Sequence, residues 1–428
     1  MNSTTSSAPG SGSGARAPLR VHTGPLRSLH NPAFRWLWTS GLLFGFGNWM
    51  QRLTIGWLVL DQTGSVFLTA LSFAVRSAPN VVFGPIGGAV ADRYSRRNVM
   101  IATAAMKVAI AIGLWLLVVQ GDGNVIIWVV MALVGLAGVT AAFELPASQA
   151  LAVDVVGRRD AANGIALLSV AMRAVGAAGA ITGGLLIETL GPGIVFFIGG
   201  VAFAIGGLAV SRVVADRPSA VLRRSAQGFR GFLGDTFGGI KTLLGIPIVA
   251  TLLMLAMAVE ILGFTFQSVM PSVADDLLGV GAAGLGTLTA MASIGGLAGS
   301  VLITAMSDFR RKGYLALGII FVYGAGLVLL GNSGIFPLSL LVITFVGMTA
   351  ASFDALQWTM LQANVPDDMR GRAMGGWIFA IGFGWVGSLE LGIIAQVFSV
   401  TWALSVNGIG LLILGAAALA FSGRLRRV

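Results

Sequence analysis

The sequence has no cysteine, which excludes disulfides and thiolate metal sites. Its two histidines, His22 and His30, both lie in the polar N-terminal stretch, so no histidine-ligated metal centre is expected. Charge is scarce as well. Asp, Glu, Lys and Arg make up 10% of the 428 residues, against about 25% in a soluble domain. With 27 basic and 17 acidic residues, a water-soluble fold of this size cannot cover itself. The phosphate loop, the dinucleotide fingerprint and the nucleophile elbow are missing too. These absences exclude a soluble enzyme, a disordered chain, a disulfide scaffold and ATP-driven transport by this chain alone. No cofactor is expected.

What is present is apolar. Hydrophobic residues make up 56% of the chain. At roughly 20 residues per membrane-spanning helix, that is enough for about a dozen spans. Glycine, at 61 residues, has about twice its usual share, as close helix packing in lipid favours. Twelve apolar stretches fall near 36–60, 66–91, 98–119, 124–149, 163–187, 191–210, 247–271, 280–306, 314–331, 335–362, 373–397 and 402–422. They are too long for barrel strands and lack alternation, so they read as helices.

The net charge of +10 is a topology signal rather than a nucleic-acid footprint. With the N-terminus inside, 23 of the 27 Lys and Arg residues fall in inner segments or at their edges. Four lie within spans: Arg52, Arg76, Lys107 and Arg173. None falls in an outer loop. This split predicts that both termini are cytoplasmic in a multi-pass protein of a bacterial inner membrane.

The expected organisation follows. Residues 1–33 form a disordered cytoplasmic arm rich in Ser, Gly and Pro, with no cleavable leader. Six spans occupy 34–210. A linker over 211–246 carries Phe229, Phe232, Leu233, Phe237 and Ile240 at helical spacing, which predicts an amphipathic helix on the inner membrane face. Six more spans occupy 247–428.

The two halves repeat. Ala142-Phe143-Glu144 corresponds to Ser352-Phe353-Asp354. Asp92 with Arg93, Arg96 and Arg97 corresponds to Asp308 with Arg310, Arg311 and Lys312. Both copies run the same way across the membrane, as parallel repeats do.

Several polar residues stand inside the spans. Phe44, Asn48, Gln51, Arg52 and Ile55 share one face of span one, and three polar residues on one face suit a wet cavity better than helix glue. Arg76 and Arg173 are read either as substrate contacts or as structural ion pairs. Lys107 reads as structural. Glu144 and Asp354, near the inner ends of their spans, read as partners for inner arginines. Glu260 sits mid-span among apolar residues, where desolvation disfavours the charged carboxylate. It is the first candidate proton carrier, with a buried ion pair as the other reading, and Glu390 is the second candidate. Trp36, Trp38, Trp57, Trp128 and Trp402 read as interfacial belt residues. Trp377 and Trp385 read as packing rather than substrate contacts.

The loop after span two reads Gly88-Ala-Val-Ala-Asp92-Arg93-Tyr-Ser-Arg96-Arg97. With twelve spans in two halves, it resembles the Major Facilitator Superfamily over nearly the whole chain. Phe143-Glu-Leu-Pro-Ala-Ser-Gln-Ala-Leu151, Asn163-Gly-Ile-Ala-Leu-Leu-Ser169 and Val365-Pro-Asp-Asp-Met-Arg-Gly-Arg372 resemble the subgroup of bacterial enterobactin exporters and related drug efflux proteins. The family's span-four Arg and span-five Gly-Pro pair are absent here. The resemblance implies an all-α fold of two pseudo-symmetric six-helix halves, working as a monomer by alternating access. It implies proton-coupled export of a small organic molecule, drug or siderophore-like. A lipid or lysolipid flippase of the same fold is the alternative, and a non-transporting receptor or scaffold is the rival from another class. The resemblance also places a gate at Gly88–Arg97, with Asp92 reaching Gly371-Arg372 at the start of span eleven and Asp308 reaching Asn163 of span five.

Overall fold

A computed structural model describes residues 24, 26–121, 125–157, 159–214, 245–306, 309, 311–366 and 369–423. The expected linker helix and Asp308 lie outside the described residues. The described chain is helical: α1 Pro32–Thr63, α2 Val66–Ser77, α3 Pro79–Arg93, α4 Arg96–Gln120, α5 Ile127–Val156, α6 Ala161–Leu190 and α7 Pro192–Ser211 form the first half. The second half holds α8 Pro247–Leu262, α9 Gly281–Ala305, α10 Lys312–Gly331, α11 Phe336–Ala363, α12 Arg370–Ile381, α13 Gly384–Val397 and α14 Val400–Phe421.

Local chemistry sets the ends. The Asn31 side chain accepts from the Ala33 and Phe34 amides, and Pro32 supplies a preformed first turn. Gly64, at φ 60°, closes α1 in the left-handed region. Ser65 then caps α2 through the Leu68 amide. Pro79 lacks the N–H that would continue the ladder, so span two is broken into α2 and α3. Span eleven is likewise broken, between α12 and α13.

Eleven stretches among the described residues are long and apolar enough to cross a membrane. Two of them are the broken pairs, Val66–Arg93 and Gly375–Val397. The first expected span is the exception. At 32 residues α1 is about 48 Å long, ample to cross. The polar stripe Asn48, Gln51 and Arg52 lowers its mean hydropathy. Its N-terminal end also starts earlier than expected, because residues 27–31 are folded. Arg27 pairs with Asp160 at 2.6 Å, Ser28 donates to the Asn163 side chain at 2.6 Å, and Asn31 donates to the Val155 carbonyl at 2.8 Å.

The halves share a packing plan. In the first, α3 packs on α5, and α4 on α5 and α7. In the second, α9 packs on α11, and α10 on α11 and α14. Glycine makes the pairs close. A Cβ on Gly87 would collide with the Ala142 carbonyl of α5, and one on Gly295 with the Thr344 carbonyl of α11. Small residues at such crossings replace the hydrophobic drive that lipid withholds.

Candidate functional site

Among the described residues the halves meet most extensively on one face. There α2 packs against α13 and α6 against α9. A Cβ on Gly286 of α9 would lie 2.6 Å from the Ala180 carbonyl, and one on Gly392 of α13 would lie 2.6 Å from Ala70. Polar bonds reinforce this seam. Ser65 donates to the Gln396 side-chain oxygen at 2.9 Å, and the Phe67 amide to the same atom at 3.2 Å. The Glu188 carboxylate accepts from the Ala283 amide at 2.9 Å, in the first turn of α9, where negative charge is favoured. Toward the other face α3 and α12 barely touch. That other face is the basic one, carrying the start of α1, the α3–α4 loop and the α5–α6 loop.

Beneath the seam lies a cavity lined from both halves by α1, α2, α9, α11 and the bend after α8. Its empty space, part of it open to solvent, is about 960 Å³. Trp49, Phe73, Phe264, Phe266 and Met270 give it an apolar wall, and Arg52 and Asp354 give it charge. The Arg52 guanidinium stands 5.5 Å from the Trp49 ring and 5.2 Å from the Phe73 ring. Trp49 and the bend residues went unread in the sequence, because aromatic side chains in apolar spans look like packing.

The sequence candidates divide. Arg52 lines the cavity, as its helical stripe suggests. Arg76 faces a small side niche shared with Arg52, where its Nη2 lies 3.5 Å from the Asn48 side-chain oxygen. Gln51 is buried instead against Gly199 of α7, one helix face away from the cavity. Arg173 is carried on α6. Glu260 stands behind the wall, and a Cβ on Gly384 of α13 would lie 2.8 Å from its Oε1. Its charge is felt by Arg52 and by Tyr323. Glu390 is partly buried in α13 and does not line the cavity.

One acid differs from the sequence reading. Glu144 pairs with Lys107 of α4 rather than with an inner arginine. The Lys107 ammonium also lies 4.8 Å from the Phe44 ring and 5.1 Å from the Phe203 ring. Asp354 also lines the cavity.

The gating motif also has a clear local structure. Gly88 and Asp92 lie on α3, and Asp92 and Arg93 are exposed at its C-terminal end. Arg96 donates to Asp154 at 2.5 Å and to the Ala150 carbonyl at 3.0 Å. Arg97 donates to the Ser211 carbonyl. In this conformation the motif's distal arginines tie helices within the first half.

A sequence model of the Major Facilitator Superfamily matches residues 37–389 and 252–427. The chain belongs to this superfamily. Within it, the chain is 26% identical to the enterobactin exporter EntS of Shigella flexneri over 405 residues, covering 93% of each. It is also 26% identical to the enterobactin exporter EntS of Escherichia coli O81 over 416 residues, again covering 93% of each. Solved superfamily folds superpose on it. The nucleoside transporter NupG gives a TM-score of 0.73 at 14% identity, covering 91% of this chain and 99% of that one. A D-xylose-proton symporter gives 0.70 at 14% identity, covering 95% and 100%. The superfamily's two-half plan accounts for a cavity walled by both halves.

Proposed function

We propose that this superfamily member is a secondary active exporter of a bacterial cytoplasmic membrane. It moves a small organic molecule, drug or siderophore-like, by alternating access driven by proton entry. One observation carries the reading. A cavity lies between the halves, closed at one face by glycine and a few hydrogen bonds, while among the described residues few contacts join the halves at the other. Two rigid bodies sharing one central site are what rocking requires. The basic face is the cytoplasmic one by its charge, so this conformation loads from the cytoplasm. The relatives named as enterobactin exporters support the outward direction. Asp92 is a gating residue, engaging only when the basic face closes. A receptor or scaffold needs no buried charged cavity.

Glu260 suits the proton carrier. It stands on α8 against Gly384 of α13, behind the cavity wall, within electrostatic reach of Arg52. Protonation there changes the charge balance across the halves and biases a two-state equilibrium. The test is flux in proteoliposomes under an imposed pH gradient, with candidate substrates drawn from metabolites retained by a deletion strain. Substrate accumulation on the acidic side, lost when the gradient is collapsed, is the expected result. Gradient-independent flux sinks the proton-coupled reading.

A further inference from the structure

We propose that Arg52 and Arg76 form a subsite for one anionic oxygen group, and that the transported molecule is an amphipathic organic anion with a carboxylate-sized head. The proposal rests on the reading of this cavity as the transport site.

The two arginines face one niche from α1 and α2, closed by Ile55, Ser72, Phe73 and Val134. Their charges repel. The three ion pairs found among the described residues include neither of them. Arg52 is held by the faces of Trp49 and Phe73. Arg76 has one long bond to Asn48, and its Nη1 is buried with no partner. Glu260 reaches Arg52 and Glu144 reaches Arg76 electrostatically, but Glu144 is already committed to Lys107. Two cations at membrane depth with so little compensation leave the empty site electrostatically incomplete. An anion between the two guanidinium forks completes it.

Size narrows the class. The niche has room for about one water-sized group. A carboxylate, the smallest of the oxyanion heads, can place one oxygen there. Arg52 and Phe73 also line the main cavity, so head and body sites are continuous. A head bound in the niche directs an apolar or aromatic body against Trp49, Phe264 and Phe266.

The test is calorimetric titration of the purified full chain with three isosteres: 2-naphthylacetate, 2-naphthylacetamide and 2-(2-naphthyl)ethylamine. The carboxylate is expected to bind at least about ten-fold tighter than the amide. Arg76→Gln and Arg52→Gln should each cut that preference to about two-fold or less, and an unchanged thermal midpoint reports the fold. Arg76→Lys should keep part of the preference. Equal binding of acid and amide, no binding of the acid, stronger binding of the amine, or a preference that survives both Gln variants overturns the proposal. Failure of the transport reading is separable. A disulfide between Ser65→Cys and Gln396→Cys that leaves flux unchanged sinks alternation while the head-group preference stands.

Discussion

At the residue scale, two buried charges of the first half have different tasks. Lys107 is paired, flanked by two aromatic faces, and structural. Breaking such a pair from one side leaves a bare charge, at a cost of about 3–5 kcal/mol. Lys107→Met should therefore lower the thermal midpoint of the purified protein markedly. Lys107→Met with Glu144→Leu should recover most of the loss, since well-packed apolar residues replace buried pairs at little cost. A double variant no more stable than the single one counts against the pairing. Glu260 should behave differently, with little effect on the midpoint. Glu260→Gln mimics the protonated acid, and it should abolish gradient-driven accumulation while leaving substrate binding and exchange detectable. Normal gradient-driven flux in that variant would move the proton-carrier role to Glu390.

At the element scale, the seam between α6 and α9 is the part of the fold most sensitive to bulk. Gly286 faces the Ala180 carbonyl with no room for a side chain. Gly286→Val should wedge the seam apart and favour the conformation open at that face. The cysteine-free background makes this measurable: a single cysteine at the cavity position Thr289 should label from the outer face faster in Gly286→Val than without it. Equal rates mean that the seam does not gate that face. On the opposite side, Asp92→Asn should slow flux several-fold with little loss of folded protein, as expected of a contact made only when the basic face closes. Most element limits were readable in the sequence to within a few residues, because apolar length and glycine punctuation fix spans, but span four runs on to Val156 rather than ending near 149. The folded segment 27–31 was not readable, because its stability comes from Asp160, Asn163 and Val155, far along the chain. The stripe on α1 was half readable. Periodicity placed Arg52 toward the cavity, but it cannot say which edge of a polar face meets a neighbouring helix, and Gln51 turned to α7. That Asp354 lines the cavity was not readable, because its level in the span says nothing about which way the helix faces.

At the scale of the whole molecule, orientation rests on 27 basic residues of which none sits in an outer loop. Exposed positions give the check. A cysteine at Gln62 should label from outside intact cells with an impermeant reagent, and one at Ser95 should not. The reverse pattern inverts the topology and the transport direction together. Ala282 would be a poor reporter, since it is buried at the seam.

The glycine seam has a further consequence. Its closest approaches, Gly286 to the Ala180 carbonyl and Gly184 to the Ala282 carbonyl, are backbone against backbone, so at these points parting it strips no long side chain of partners. The carbonyls involved keep their helical bonds whether the seam is shut or open. Of the hydrogen bonds across it among the described residues, those of the Glu188 and Gln396 latches must exchange protein partners for water. The opening step is therefore set by two small polar clasps at its rim, and evolution can retune the pace of the cycle there without touching the cavity that chooses the cargo.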